Sequence, residues 1–409
     1  MQGTGRSDGR IGLALAGGVI EGGFYEVGVL CALQDAIEGL DCTALDVYVG
    51  VSAGAVITSL LANGVAPRTL SRAILSMADP VLNLDPDILF APALREYARR
   101  VGRLPFALGR WLRRRLERPF DISLVGMLWE LGELTPVGIF DSAPMERYLA
   151  GVFAQAGRTN DFRALRAQLR IVAVKLDSAQ LVAFGDEGTA HVPISRAVQA
   201  SIALPGLYCP VEIDGQPYID GVAKRTLNAS LALDEGVDLL FCVNPIVPVD
   251  LLSARETEGR ARSLVDYGLP GVLSQTFRTM IHSRMGTGFR GYAHAYPDTD
   301  VVLIEPELED SSLFFSNIFS FSNRRGVCEH AYRSTLTHLL SRADELEAKL
   351  APRGLRLRRD VLADPARSLF GDDGGRPGGP PPTREGVVTD IRATLERLDA
   401  ALDRLKVAV

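Results

Sequence analysis

Two units of strand, glycine-rich turn and helix open the chain in succession, and that repetition restricts the fold more than any other feature. Residues 11–16 form a short apolar run, followed by the turn Gly17-Gly18-Val19-Ile20-Glu21-Gly22-Gly23. Beyond the turn, Val27, Val29, Leu30, Leu33 and Ile37 recur at helical spacing. Residues 45–49 read as a second strand, Gly50-Val51-Ser52-Ala53-Gly54 as a tight turn, and 55–63 as a small-residue helix closed by Gly64. Further apolar runs at 169–174, 181–184, 239–243 and 301–304 are interleaved with helical stretches. Strands that alternate with helices are joined by crossovers, so the expected class is α/β, with a mostly parallel central sheet flanked by helices.

Around that core the chain divides by pattern. Residues 1–10 are polar and glycine-rich, and 11–245 hold the strand and helix alternation. Within it, 67–150 is helix-rich and reads as an inserted cap. Residues 246–365 are mostly helical in pattern and are expected to pack on the same domain. From 366 to 386 the composition collapses to Gly, Pro and Asp, the mark of a linker that buries too little surface to fold alone. The segment 387–409 is a terminal amphipathic helix, with Val388, Ile391, Leu395, Leu398, Leu402 and Leu405 spaced by threes and fours. This seam suits self-association, a partner helix, or packing back on the domain.

A net charge of −6 excludes the basic balance of a nucleic-acid binder, so any positive surface must be local. One such stretch is 91–118, where nine arginines stand against two glutamates among interleaved apolar residues. Arg110, Trp111, Arg113 and Arg114 are its candidates for contact with anionic lipid headgroups, and a solvated arginine face on the cap is the competing reading. Pro105 and Gly109 predict two short helices there rather than one. The five cysteines are scattered in apolar runs and fit buried thiols, which points to a reducing, cytoplasmic setting. No secretory signal and no span of about 20 apolar residues is seen, so the expectation is a soluble protein that meets membrane peripherally. Neither a metal nor a cofactor is expected, because no His or Cys pair has ligand spacing and the first glycine turn lacks a P-loop ending.

Chemistry is suggested by the second turn. A serine hydroxyl attacks well only when it is held exposed on a strained turn, beside a base and near donors for the forming oxyanion. Ser52, between Gly50 and Gly54 at a strand-to-helix junction, meets the first condition and sits where a helix N-terminus favours negative charge. The backbone N–H groups of Gly17, Gly18, Val19, Gly22 and Gly23 are the candidate oxyanion donors.

These features resemble the patatin-like phospholipase family, whose pattern is a glycine-rich oxyanion turn, then Gly-x-Ser-x-Gly, then a distant Asp-Gly-Gly or Asp-Gly-Ala. The counterparts are Gly17-Gly18 onward, Gly50 to Gly54, and Asp220-Gly221-Val222, with Gln199-Ala200-Ser201-Ile202-Ala203-Leu204-Pro205-Gly206-Leu207 leading to the last. The resemblance covers about residues 11–245. It implies a three-layer sandwich, a lipid ester substrate, and a Ser52 and Asp220 dyad working through an acyl-enzyme. Without it, Asp220-Gly221 would read as an ordinary hairpin pair. A triad that draws on His282 or His294 is the less favoured hydrolase reading. Two departures stand out. Val19, Ile20 and Glu21 occupy the stretch where the family has a third glycine and a basic residue, and Val222 replaces glycine or alanine. A carboxylate facing a forming oxyanion opposes it, so Glu21 is expected to point away, and a non-catalytic lipid-binding scaffold of the same fold is the alternative.

Overall fold

The computed structural model describes residues 9–76, 82–117, 132, 135–251, 263–308 and 323–370. The terminal helix placed at 387–409 and most of the 366–386 linker lie outside these residues. In chain order, the elements that position the site begin with strand β1 (Ile11–Leu15) and helix α1 (Val19–Ala36). Next come β2 (Val47–Val51), α2 (Ala53–Ala62) and α3 (Leu94–Glu117). They are followed by β3 (Gln168–Lys175), β4 (Leu181–Phe184), α4 (Ile194–Ser201), β5 (Val211–Ile213) and β6 (Gln216–Asp220). The last are β7 (Leu239–Val243), α5 (Gly268–Ala295), β8 (Asp300–Ile304) and α6 (Arg324–Ser341).

The eight strands form one sheet in the order β8-β7-β1-β2-β3-β6-β5, with β4 also paired to β3. The pairs from β8 through β3 are parallel, and β4, β6 and β5 add antiparallel pairs at one side. Successive side chains on a strand point to opposite faces, and both faces are covered here. Leu13 and Leu15 pack with α1, α2 and α6, whereas Ala14, Val49 and Cys242 face a second cluster to which Met285, Phe289 and Tyr292 of α5 contribute. The result is three layers, which explains why β1, β2 and β7 read as unbroken apolar runs rather than alternating ones.

Strand β3 decides where the site forms. Its residues 171–172 pair with β2 on one edge and β4 on the other, and its residues 173–174 pair with β4 and β6. A strand has only two edges, so β2 and β6 must share one, meeting end to end. Val51 pairs with Val172, and Asp220 pairs with Ala173, the next residue along. Two strand ends 169 positions apart in the sequence, Val51 and Asp220, therefore meet at the C-terminal rim of the parallel strands.

One expectation needs correction, and one rejected alternative can be set aside. Residues 94–117 run as one helix with Pro105 inside it, not two. A proline removes one N–H bond and bends a helix, and the helix-forming residues on both sides carry it across. Asp220-Gly221 is not a hairpin pair either, because the tight turn of that hairpin is Asp214-Gly215, both at positive φ.

Candidate active site

Ser52 occupies the junction of β2 and α2 at φ 54° and ψ −120°. A side chain rarely tolerates that left-handed φ, and the cost, of order 1–3 kcal/mol, persists only where surrounding structure imposes it. What imposes it is close approach. A Cβ on Gly54 would lie 2.6 Å from the Leu15 carbonyl oxygen, and one on Gly50 would lie 2.6 Å from the Ala55 Cα. Glycine at 54 therefore lets the turn fold against β1, and glycine at 50 lets α2 begin directly over β2. Ser201 of α4, fully buried, holds it from the other side. Its hydroxyl accepts the Ser52 N–H at 2.9 Å and donates to the Val172 carbonyl at 2.6 Å.

Asp220 closes β6, fully buried. Its N–H donates to the Ala203 carbonyl at 3.0 Å, and its Oδ1 accepts the Val222 N–H at 2.9 Å. Thus the end of α4 and the residues just after it brace both partners, Ser52 through Ser201 and Asp220 through Ala203. Desolvation pushes the Asp220 carboxyl up to about 7, with the Ser52 hydroxyl and the Val222 N–H pulling the other way. The second oxygen, Oδ2, is buried and accepts no hydrogen bond of normal geometry. The Ser52 hydroxyl acts on the carboxyl all the same, which places the two side chains side by side. A Cβ on Gly221 would lie 2.6 Å from the Val172 carbonyl oxygen, so glycine is needed for β6 to end this close to β2 and β3.

The first glycine turn lies against the same rim. A Cβ on Gly17 would overlap Val222 and lie 3.0 Å from the Ser52 Cβ, so Val222 fills the room that Gly17 leaves. Of the five candidate donors, Gly17 N–H is engaged by the Thr226 carbonyl at 3.2 Å and Gly22 N–H by the Gly18 carbonyl at 2.8 Å. Gly23 lies within α1. The N–H groups of Gly18 and Val19, and of Ala53 on the second turn, have no acceptor among the described residues. Ala53 was not singled out from the sequence, although a residue following a Gly-x-Ser serine is a natural donor.

Val19, in the stretch that departs from the family pattern, stands at φ 57°. A β-branched residue there is strained, so Val19→Gly is expected to stabilise the fold by roughly 1 kcal/mol despite the freedom glycine gains on unfolding. Urea denaturation followed by circular dichroism reads this, and a loss of stability would mean that Val19 packing outweighs its strain.

Glu21 is buried, and its charge acts on the half-buried guanidinium of Arg278 of α5, raising a pKa that burial lowers. The carboxylate expected to oppose an oxyanion thus has a counter-charge from an element more than 250 positions away in the sequence.

An apolar cavity of about 130 Å³ begins at Ser52 and runs between α1 and α2. Val19, Gly23 and Val27 line it on one helix, and Ala53, Val56 and Leu60 on the other. Among the described residues no histidine lines it, and His282 and His294 lie on α5. Of the arginine-rich segment, Arg113 is exposed, whereas the side chains of Arg110, Trp111 and Arg114 lie outside the described residues.

A family model described as patatin-like phospholipase matches residues 13–233. Among solved structures, VipD from Legionella pneumophila is similar at 14% identity and a TM-score of 0.35, over 83% of this chain and 69% of that one. ExoU, in complex with SpcU from Pseudomonas aeruginosa, is similar at 14% identity and a TM-score of 0.28, over 85% and 58% of the two chains. Human GIVD cytosolic phospholipase A2 is similar at 14% identity and a TM-score of 0.22, over 62% and 44%. The chain therefore spans under two thirds of the ExoU and human chains.

Proposed function

The chain belongs to the patatin-like phospholipase family, and from that premise we propose that it is a lipid acyl hydrolase whose nucleophile is Ser52 and whose base is Asp220. The observation that carries this reading is the buried, unpartnered Oδ2 of Asp220, on a carboxyl near 7, beside a serine held at positive φ. A base poised near neutrality can both take a proton and return it.

In this reading the Ser52 hydroxyl attacks the ester carbonyl carbon as Asp220 Oδ2 takes its proton. The N–H groups of Gly18, Val19 and Ala53 are available to the carbonyl oxygen as it becomes an oxyanion. Collapse expels the alcohol, which leaves with the proton from Asp220, and an acyl group remains on Ser52 with its chain in the cavity. Water then attacks that ester, Asp220 takes the water proton, and its return to Ser52 frees the carboxylic acid. The cavity lining favours a substrate with an extended acyl chain, and a diacyl phospholipid is the proposed class. Among the described residues no helix is long and apolar enough to cross a membrane, and the proposed encounter with substrate is peripheral. Liberation of fatty acid from phosphatidylcholine and phosphatidylglycerol dispersions, compared with triacylglycerol, tests the class. Preference for triacylglycerol would overturn it.

Val19 and Glu21 on the oxyanion turn favour a second reading, a scaffold of this fold that binds lipid without turnover. A fluorophosphonate probe separates the two, because the enzyme is labelled at Ser52 and the scaffold stays unlabelled while folded.

Two further outcomes follow from the bracing. Ser201→Ala strands the Ser52 N–H in a buried site. It is expected to cost about 1–3 kcal/mol in stability and, by loosening the turn, to lower kcat by roughly tenfold or more with KM little changed. Steady-state kinetics on a soluble ester beside thermal unfolding checks both. Arg278→Met leaves Glu21 without its counter-charge and is expected to lower kcat/KM about tenfold, whereas the double change with Glu21→Gln recovers most of it. Equal losses in the single and double variants would show that Arg278 acts on packing alone.

A further inference from the structure

Helix α5 is turned the wrong way round for a helix that faces water. Its inward side carries polar anchors. The Gln275 amide donates to the Val249 carbonyl at 2.8 Å and accepts the Val249 N–H at 3.1 Å, and the Arg278 guanidinium donates to the Val247 carbonyl at 3.2 Å. Further along that side, Met285, Phe289 and Tyr292 pack onto the sheet. The outward side of the first half, with the short turn before it, is apolar. Val265 is 73% exposed, Leu269 69% and Phe277 59%, with Val272, Leu273 and Met280 completing the strip. At 1.5 Å per residue, the strip from Leu269 to Met280 runs for roughly 16 Å along one face.

The charge on this helix runs against that of the protein. Across Gly268–Ala295 there is no Asp or Glu, and there are three arginines, in a chain of net charge −6. Arg284 and Arg290, both exposed, follow Met280 on the same outward side, so the face passes from apolar to basic along its axis.

The helix is also tied to the candidate active site through its inward side. Pro245 abuts Gly18 and Gly22 of the oxyanion turn, and the residues that hold α5 in place, Val247 and Val249, follow two and four positions later. Arg278 additionally acts on Glu21 within the turn.

We propose that the outward face of residues 265–280 is the surface on which this protein docks to an anionic lipid bilayer, with the apolar strip inserted at the headgroup boundary and Arg284 and Arg290 against the headgroups. An exposed apolar strip beside basic residues matches an interface that is apolar beneath and negatively charged above. The absence of acidic side chains from Gly268–Ala295, with Asp266 of the preceding turn occupied by the Ser263 N–H, suits that partner rather than a basic protein groove. The inference draws on the lipid-hydrolase reading only for the choice of partner, and turnover of a dispersed short-chain ester reads the catalytic site independently.

The test uses the full chain and sedimentation with vesicles, either phosphatidylcholine alone or equal parts phosphatidylcholine and phosphatidylserine. Leu269→Ser, Leu273→Ser and Phe277→Ser together are expected to lower partition onto the mixed vesicles by at least about tenfold, with soluble-ester turnover unchanged. Arg284→Gln with Arg290→Gln is expected to lower partition about tenfold on the mixed vesicles and little on phosphatidylcholine. Unchanged partition in the triple variant overturns the proposal. Should that variant lose soluble-ester turnover, amide exchange on wild type decides instead. Added mixed vesicles must protect 265–280, and no added protection overturns the proposal. A lipid-free dimer in sedimentation equilibrium that the triple variant dissociates would assign the face to a second copy, and it overturns the bilayer reading equally. Acyl hydrolase activity that fails while vesicle docking persists would remove the catalytic reading and leave this one standing.

Discussion

Asp220→Asn is expected to abolish turnover and at the same time to make the folded protein more stable at neutral pH. The two effects share one cause, the burial that raises the carboxyl to about 7. In the unfolded chain an aspartate titrates near 3.9, so below that pH both states hold the proton and burial carries no pH-dependent penalty. As pH rises from about 4 to 7 the unfolded state ionises while the native state resists, and native stability falls. Above 7 both are ionised and the loss levels off, at a magnitude on the order of 4 kcal/mol. Asparagine keeps the acceptor for the Val222 N–H and has no charge to desolvate. The variant should therefore gain a few kcal/mol at pH 8 and almost nothing at pH 4, as read by denaturant titration at both values. An equal gain at the two would show that the carboxyl is not the titrating group. For the wild type, kcat/KM is expected to fall tenfold per pH unit below about 7, because only the ionised carboxyl can take the Ser52 proton. A flat profile down to pH 5 would remove Asp220 as the base.

Substitution of Ser52 carries the second large effect, and again activity and stability separate. Ser52→Ala is expected to lower acyl-ester turnover by at least about ten-thousandfold, since it removes the proposed attacking atom. Fluorophosphonate labelling should vanish with it. Alanine keeps the positive φ and its strain, whereas Ser52→Gly relieves it. The glycine variant, equally inactive, should therefore exceed the alanine variant in stability by roughly 1 kcal/mol. Measurable hydrolysis in a purified Ser52→Ala protein would assign the nucleophile elsewhere, and identical stabilities would show the turn unstrained.

Much of this arrangement is legible in the residues themselves. The apolar runs of β1, β2 and β7, and the helical spacing after each glycine turn, are local properties, because strand and helix periodicity are set by neighbours within a few positions. Gly50 and Gly54 mark the sharp turn at Ser52 for the same reason. Other features have no local signature. Ser201 looks like any helix-end serine until its hydroxyl is found between the Ser52 N–H and the Val172 carbonyl. Val19 carries no sign in its side chain that its backbone is left-handed. Arg278 is one arginine among many, and only packing brings it to Glu21. Pro105 was a misleading signal, since one lost N–H bond is a small cost to a helix with good formers on both flanks.

The alternation of strands and helices, and the placement of the two glycine-rich turns, are readable from the residues alone. Tertiary structure alone decided that β2 and β6 share an edge of β3, so that Ser52 and the Asp220 carboxyl meet, and that burial there moves the acid toward neutrality. The division has a physical origin. Backbone conformation and side-chain periodicity are governed by short stretches of chain, whereas edge sharing, desolvation and charge pairing depend on groups that only the folded chain brings within reach.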